Sequence, residues 1–121
     1  MLRRTHLNQA ESIDMLRELG LKRMTAVITE DGERLGVALR FVHRPIEDVN
    51  PELKLYRSYL VVQSIPLGGP VYVPTLFIGT YDPAAPLLTI ATSLATIQGE
   101  TWNREPDFVV RGKGVLEELP F

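Results

Sequence analysis

One stretch of this chain carries almost no charge. Between Arg57 and Glu100 the only charged side chain is Asp82, which leaves 24 uncharged positions from 58 to 81 and 17 from 83 to 99. Charged residues make up 23% of the whole chain, so they are concentrated outside this segment. A segment this long either crosses a membrane or is buried on more than one side. A spanning helix needs about 20 consecutive apolar residues. Pro66, Gly68, Gly69, Pro70, Pro74, Pro83 and Pro86 interrupt the segment, and lipid cannot satisfy the backbone groups that such breaks release. The sequence therefore predicts strands buried on both faces and no membrane contact.

The remaining composition narrows the function classes. The chain has 121 residues, enough for one domain (1–121) with a real core. There is no cysteine, which excludes disulfides and Cys-ligated zinc or iron–sulfur sites. A net charge of −2 argues against a general nucleic-acid binder. Tyr56, Arg57 and Tyr59 are too few to form a base-stacking platform. Met1 to Glu11 shows a basic start but no apolar targeting segment, so the expected compartment is the cytoplasm. Ten arginines against three lysines suggest a GC-rich or heat-adapted bacterial source.

An N-terminal helix is predicted from about Gln9 to Leu19. Asn8 and Glu11 form an Asx version of a capping box. Ile13 and Leu16 mark the apolar face, and Gly20 sits at the position after the last turn, where glycine is favoured. Asp31-Gly32 then predicts a hairpin with a two-residue turn. That register collects Met24, Ala26, Ile28, Leu35, Val37, Leu39 and Phe41 on one face, with His43 at its end. Further strands are expected at about 55–65 and 75–81, joined by a tight turn at Leu67-Gly68-Gly69-Pro70. Residues 87–98 alternate between helical and strand spacing. Helix is favoured, although β-branched residues at 89, 90, 92 and 96 weaken it. Asp107 to Arg111 and Val115 to Leu119 read as strands. The predicted fold is α+β: the N-terminal helix and a second helix near 87–98 on a mostly antiparallel sheet of about five strands. An all-β sandwich is the runner-up.

Motifs with a chemical mechanism are missing. There is no G-x-G-x-x-G, G-x-S-x-G or H-E-x-x-H, and Arg111-Gly112-Lys113-Gly114 lacks the spacing of a phosphate loop. His6 and His43 have no ligand-spaced partners. No cofactor, metal or catalytic residue is assigned.

Two candidate sites follow. Both parities of the charge-poor hairpin are apolar, more than one layer of helices would cover, and large exposed apolar patches mark interaction sites. Tyr56, Leu60, Val62 and Phe77 are taken as the outward set, opposite Tyr59, Val61, Leu76 and Ile78. This predicts a small non-catalytic interaction or assembly protein that pairs with itself as a homodimer or higher oligomer. The alternative is a small-ligand pocket or modest enzyme. There His43, held by Glu47 or Asp48, acts as the acid–base group, and Arg40 or Arg44 grips an anion. The tail residues Leu116, Leu119 and Phe121 are either docking anchors or part of a closing strand.

Overall fold

The computed structural model describes residues 9–45, 56–100 and 102–121, with residues 9–12 and 107 described by their backbone alone. The predicted Asn8–Glu11 cap and the partners Glu47 and Asp48 lie outside the described residues and side chains.

The chain forms an α+β fold, with three α-helices and a seven-stranded, mostly antiparallel sheet among the described residues. Helix α1 spans Gln9–Glu18. Gly20 takes φ +77° after it. The Gly20 N–H donates to the Arg17 carbonyl at 3.1 Å and the Leu21 N–H to the Leu16 carbonyl at 3.0 Å. This is the Schellman pattern, and Leu21 and Leu16 supply its apolar contact at 2% exposure each.

Strands β1 (Ala26–Thr29) and β2 (Arg34–His43) form the first hairpin. Its turn differs from the predicted one. The Gly32 N–H donates to the Thr29 carbonyl, and the Thr29 N–H donates to the Glu33 carbonyl, both at 2.9 Å. Among residues 30–32 only Gly32 has a positive φ. The loop therefore has three residues, Glu30 to Gly32, with glycine in the left-handed position of a bulge. The Thr29 hydroxyl bonds Asp31 across it. A two-residue turn would need positive φ at Asp31 as well, and the Thr29–Asp31 bond holds another geometry.

This change inverts β1. Thr25, Val27 and Thr29 are buried, whereas Ala26 and Ile28 are half-buried and Met24 is exposed. On β2, Leu35 and Leu39 are extra residues at two bulges, because Val27 pairs Gly36 while Ile28 pairs Arg34, and Ala38 pairs Val62 while Arg40 pairs Val61. The inward positions become Leu35, Ala38 and Phe41. Val37 and Leu39 turn outward.

Strand β3 (Ser58–Ser64) pairs with β4 (Gly69–Pro74). The prediction placed this partner strand after Pro74, and the structure places it before. Strand β4 lies at the sheet edge, so Pro70 and Pro74 lose no ladder bond. Tyr72 shares their outward parity and its N–H is met at 2.7 Å by the Trp102 carbonyl. A 3-10 turn, Thr75–Phe77, leads into β5 (Ile78–Asp82), whose partner is β6 (Leu87–Ile90).

The predicted helix at 87–98 divides in two. Residues 87–90 form β6, parallel to β1, and α2 starts only at Leu94 and runs to Gly99. The Ser93 side chain caps α2 by accepting from the Thr96 N–H. Thr89 and Ile90 follow their β-branched preference. Asp107–Val110 is a short helix, α3, where a strand was predicted. Val115–Glu118 is β7, as predicted. It shares one edge of β2 with β1: β1 takes Arg34 to Val37 and β7 takes Arg40 to His43. The sheet order is β4-β3-β2-β1-β6-β5, with β7 also on β2.

The inner face carries the main core. Val27, Leu35, Phe41, Leu60, Val62, Val71, Val73, Leu88 and Ile90 pack with Ile13 and Leu16 of α1, Ile97 of α2, Trp102 and Leu119. A second core on the other face joins Val42, Tyr59, Val61 and Tyr72 to Phe108 of α3. The charge-poor hairpin is thus buried on both sides by its own chain.

Candidate functional site

Chemistry-bearing side chains converge where β2, β3, β7 and α1 meet. His43 ends β2, directly opposite Ser58 on β3 and Val115 on β7. Its ring stacks on Phe41, two residues earlier on the same face, with centroids 6.2 Å apart. Glu117 lies opposite Phe41 on β7 and therefore shares this face. His43 Nε2 and Glu117 Oε1 are 2.8 Å apart, as are His43 Nδ1 and Ser58 Oγ.

Arg17 reaches the same carboxylate from α1. Its Nε donates to Oε2 at 2.8 Å and its Nη2 to Oε1 at 2.6 Å, while Nη1 donates to Asp14 Oδ1 at 3.0 Å. The Arg17 hydrogen bond, reinforced by the one from His43, pushes the Glu117 carboxyl down to about 2, against the opposing effect of burial. The same bond to Glu117 raises the Arg17 guanidinium above its ordinary value. An ionised carboxylate only accepts, so His43 Nε2 carries a proton and donates it. In the neutral ring Nδ1 then accepts from the Ser58 hydroxyl.

The order hydroxyl, imidazole, carboxylate is that of an acyl-transfer triad. Access decides against that chemistry, because Ser58 is only 3% exposed and a nucleophile must reach its substrate. The array is a buried-to-exposed polar strut, running from Ser58 through His43 and Glu117 to Arg17 and Asp14. It borders a cavity of about 170 Å³ lined by Leu16, Arg17, Gly20, Leu21, Phe41, Glu117, Leu119 and Pro120.

The predicted ligand residues do not come together. Arg40 lies on the opposite face of β2 from His43 and donates through Nε to Glu118 Oε2 at 2.7 Å. Arg23 Nη1 also reaches Glu118, at 3.4 Å. Arg44 follows the parity of Arg40, and its backbone N–H donates to the Arg57 carbonyl. Among the described residues, the cation that joins His43's partner Glu117 is Arg17. Sequence reasoning missed Glu117 and Ser58 as partners. One signal was present: Glu117 sits between Val115 and Leu119 on one strand parity, a charge in an apolar row. Among the described residues no three His, Cys, Asp or Glu side chains gather to hold a metal ion.

The predicted interface residues divide. Leu60 and Val62 have no exposure at all, so neither offers a surface to a second copy. Tyr56 and Phe77 are partly exposed and meet edge to face with centroids 6.2 Å apart. Tyr56 also meets Tyr59 at 5.9 Å, and Phe77 meets Trp102 at 4.9 Å. Beside Phe77, Leu76 is 48% exposed. This rim and the turn residue Ile65, 90% exposed, are outward parts of the charge-poor segment.

Among the described residues no helix is long and apolar enough to cross a membrane. The chain matches no protein-family model, no curated protein and no solved structure.

Proposed function

We propose that this chain is a small non-catalytic interaction protein that pairs with a second copy of itself through the rim formed by Tyr56, Leu76 and Phe77. The supporting observation is the edge-to-face contact between Tyr56 and Phe77. It holds two large aromatic side chains, partly exposed, beside the exposed Leu76. Rigid aromatic groups next to an aliphatic one make the kind of anchor that dominates protein interfaces. Their own chain already orders them, which lowers the entropic cost of association. Leu60 and Val62 lie in the core and contribute no contact.

Light scattering across micromolar concentrations tests this reading. A mass that rises towards a dimer, and returns to monomer in Leu76→Asp with unchanged circular dichroism, supports it. A monomer at every concentration overturns it. The ligand reading through His43, Arg40 and Arg44 has less support. Both His43 nitrogens are engaged within the fold, and Arg40 is turned to Glu118 on the other face.

A further inference from the structure

Asp31-Gly32 is the one place in the sequence where glycine follows an Asp or Asn, and the interaction reading does not use it. Such a pair can close on itself. The Gly32 backbone nitrogen gives its proton to water and attacks Cγ of the neutral Asp31 carboxyl. An N–Cγ bond forms, a Cγ–O bond breaks, and one water leaves. The product is a cyclic succinimide. Water then opens the ring on either side of the nitrogen. One opening returns aspartate. The other gives isoaspartate, whose backbone runs through the side-chain carbon. The mass is unchanged, and no oxidant or cofactor takes part. We propose that Asp31 is a site of isoaspartate formation, and that Thr29 governs its rate by tethering both reacting groups.

Crowding does not protect this pair. Asp31 and Gly32 are both exposed, and a Cβ built on Gly32 would meet nothing within 4 Å. Hydrogen bonds supply the restraint instead. The Gly32 N–H donates to the Thr29 carbonyl at 2.9 Å, and this bond must break before the nitrogen can lose its proton. The Thr29 hydroxyl bonds Asp31 Oδ1, and that bond must break before Cγ can swing towards the nitrogen. Thr29 is itself held fast. It has no exposure, its N–H donates to the Glu33 carbonyl at 2.9 Å, and its hydroxyl accepts from the Glu33 N–H at 3.2 Å. Both tethers therefore start from one fixed residue, and only local opening of the turn frees the reacting groups. Isoaspartate lengthens the loop by one backbone atom, which is expected to loosen the Ile28–Arg34 pairing beside it.

Ageing the full chain in neutral buffer tests the proposal. Digestion and chromatography then separate the aspartyl and isoaspartyl forms of the peptide around residue 31. Folded wild type is expected to accumulate isoaspartate about tenfold more slowly than the same chain unfolded in urea. Thr29→Val removes the hydroxyl at nearly constant volume and is expected to speed the reaction about tenfold, the worth of one lost hydrogen bond. Thr29→Ser keeps the hydroxyl and is expected to stay near the wild-type rate. No isoaspartate in the unfolded chain overturns the site. Equal rates in the folded and unfolded chain overturn the protection, and a Thr29→Val rate equal to wild type overturns the role of Thr29. Amide exchange separates loss of the tether from general loosening. The Met24 N–H donates to the Ala38 carbonyl and the Ala38 N–H to the Thr25 carbonyl at the base of this hairpin. Their exchange is expected to stay unchanged in Thr29→Val. Exchange there that accelerates by the same factor as isoaspartate formation overturns the tether.

Discussion

Arg17 and Glu117 stand 100 positions apart in sequence and meet as a two-pronged ion pair, at 2.8 Å and 2.6 Å. The pair fastens the first helix to the last strand. Glu118, the next residue, points to the other face and takes Arg40 and Arg23. Two consecutive glutamates thus hold β7 from both sides, although Val115 and Leu116 on the same strand are more than half exposed. Polar contacts, more than apolar burial, fix this strand.

The Glu117 carboxyl gives that attachment a pH dependence. It titrates at about 2 in the fold against an ordinary 4.5. A group whose folded value is lowered contributes stability above its unfolded value and loses it as pH falls through the folded one. Thermal melts should therefore show this contribution intact above about pH 4.5 and fading towards pH 2. Glu117→Gln should flatten the decline within that window. Parallel declines in the two proteins would show that Glu117 is not the titrating group.

A double-mutant cycle on Arg17→Ala and Glu117→Ala isolates the pair itself. Arg17 is about half exposed in its side chain and Glu117 about one-third, so water screens much of the attraction. The coupling should come to about 0.5–1 kcal/mol by chemical denaturation, towards the upper end for exposed pairs because the geometry is bidentate. A coupling of zero would mean that α1 is held to β7 by packing alone.

Burial of the charge-poor hairpin makes a further contrast measurable. Leu60 and Ile65 are both aliphatic and lie five residues apart, yet exposure is 0% at Leu60 and 90% at Ile65. Leu60→Ala should cost about 2–5 kcal/mol through lost burial and the cavity left behind. Ile65→Ala should stay within about 0.5 kcal/mol of wild type. Similar costs at the two sites would contradict the inward parity of β3.

Local chemistry made part of this fold legible in the sequence. The first helix and its glycine stop followed from periodicity and capping, and the last strand was one of two readings of the tail. His43 was also placed on the correct face, for a reason the sequence did not show. Two bulges, at Leu35 and Leu39, each shift the parity of β2 by one. Their effects cancel by Phe41, so Leu35, Phe41 and His43 lie on the predicted face while Val37 and Leu39 do not. Bulges of this kind depend on what neighbouring strands require, and alternation within one strand carries no record of them. The same limit hid the Glu117–His43 bond, which depends on β7 joining β2 after the long intervening chain. The apolar pattern on both faces of 55–65 and 75–81 was read as surface left for a second copy, with Leu60 and Val62 outward; both are buried in their own chain, because residues 69–74 rather than 75–81 pair with β3 and α3 packs on the second face. The sequence did not show that α3 supplies this cover, because residues 107–110 alternate no differently from a short strand.

Glycines at two positions should respond very differently to a single methyl group. Gly20 needs φ +77° to end α1, and a Cβ there would meet nothing within 4 Å. Gly20→Ala should cost only the left-handed backbone conformation, about 1 kcal/mol. Gly36 has no positive φ, and a Cβ built on it would lie 1.9 Å from the carbonyl oxygen of Gln63 and 2.7 Å from its carbonyl carbon. These are backbone atoms of the paired strand β3, so the clash cannot be relieved by turning a side chain. Gly36→Ala must push β2 and β3 apart where Val37 and Gln63 pair, next to the buried Leu35 and Ala38. Denaturation should therefore show a loss several times larger for Gly36→Ala than for Gly20→Ala, with amide exchange accelerated first along Val37 to Val42 and Leu60 to Gln63. A Gly36→Ala protein as stable as Gly20→Ala would mean that β2 and β3 do not approach this closely.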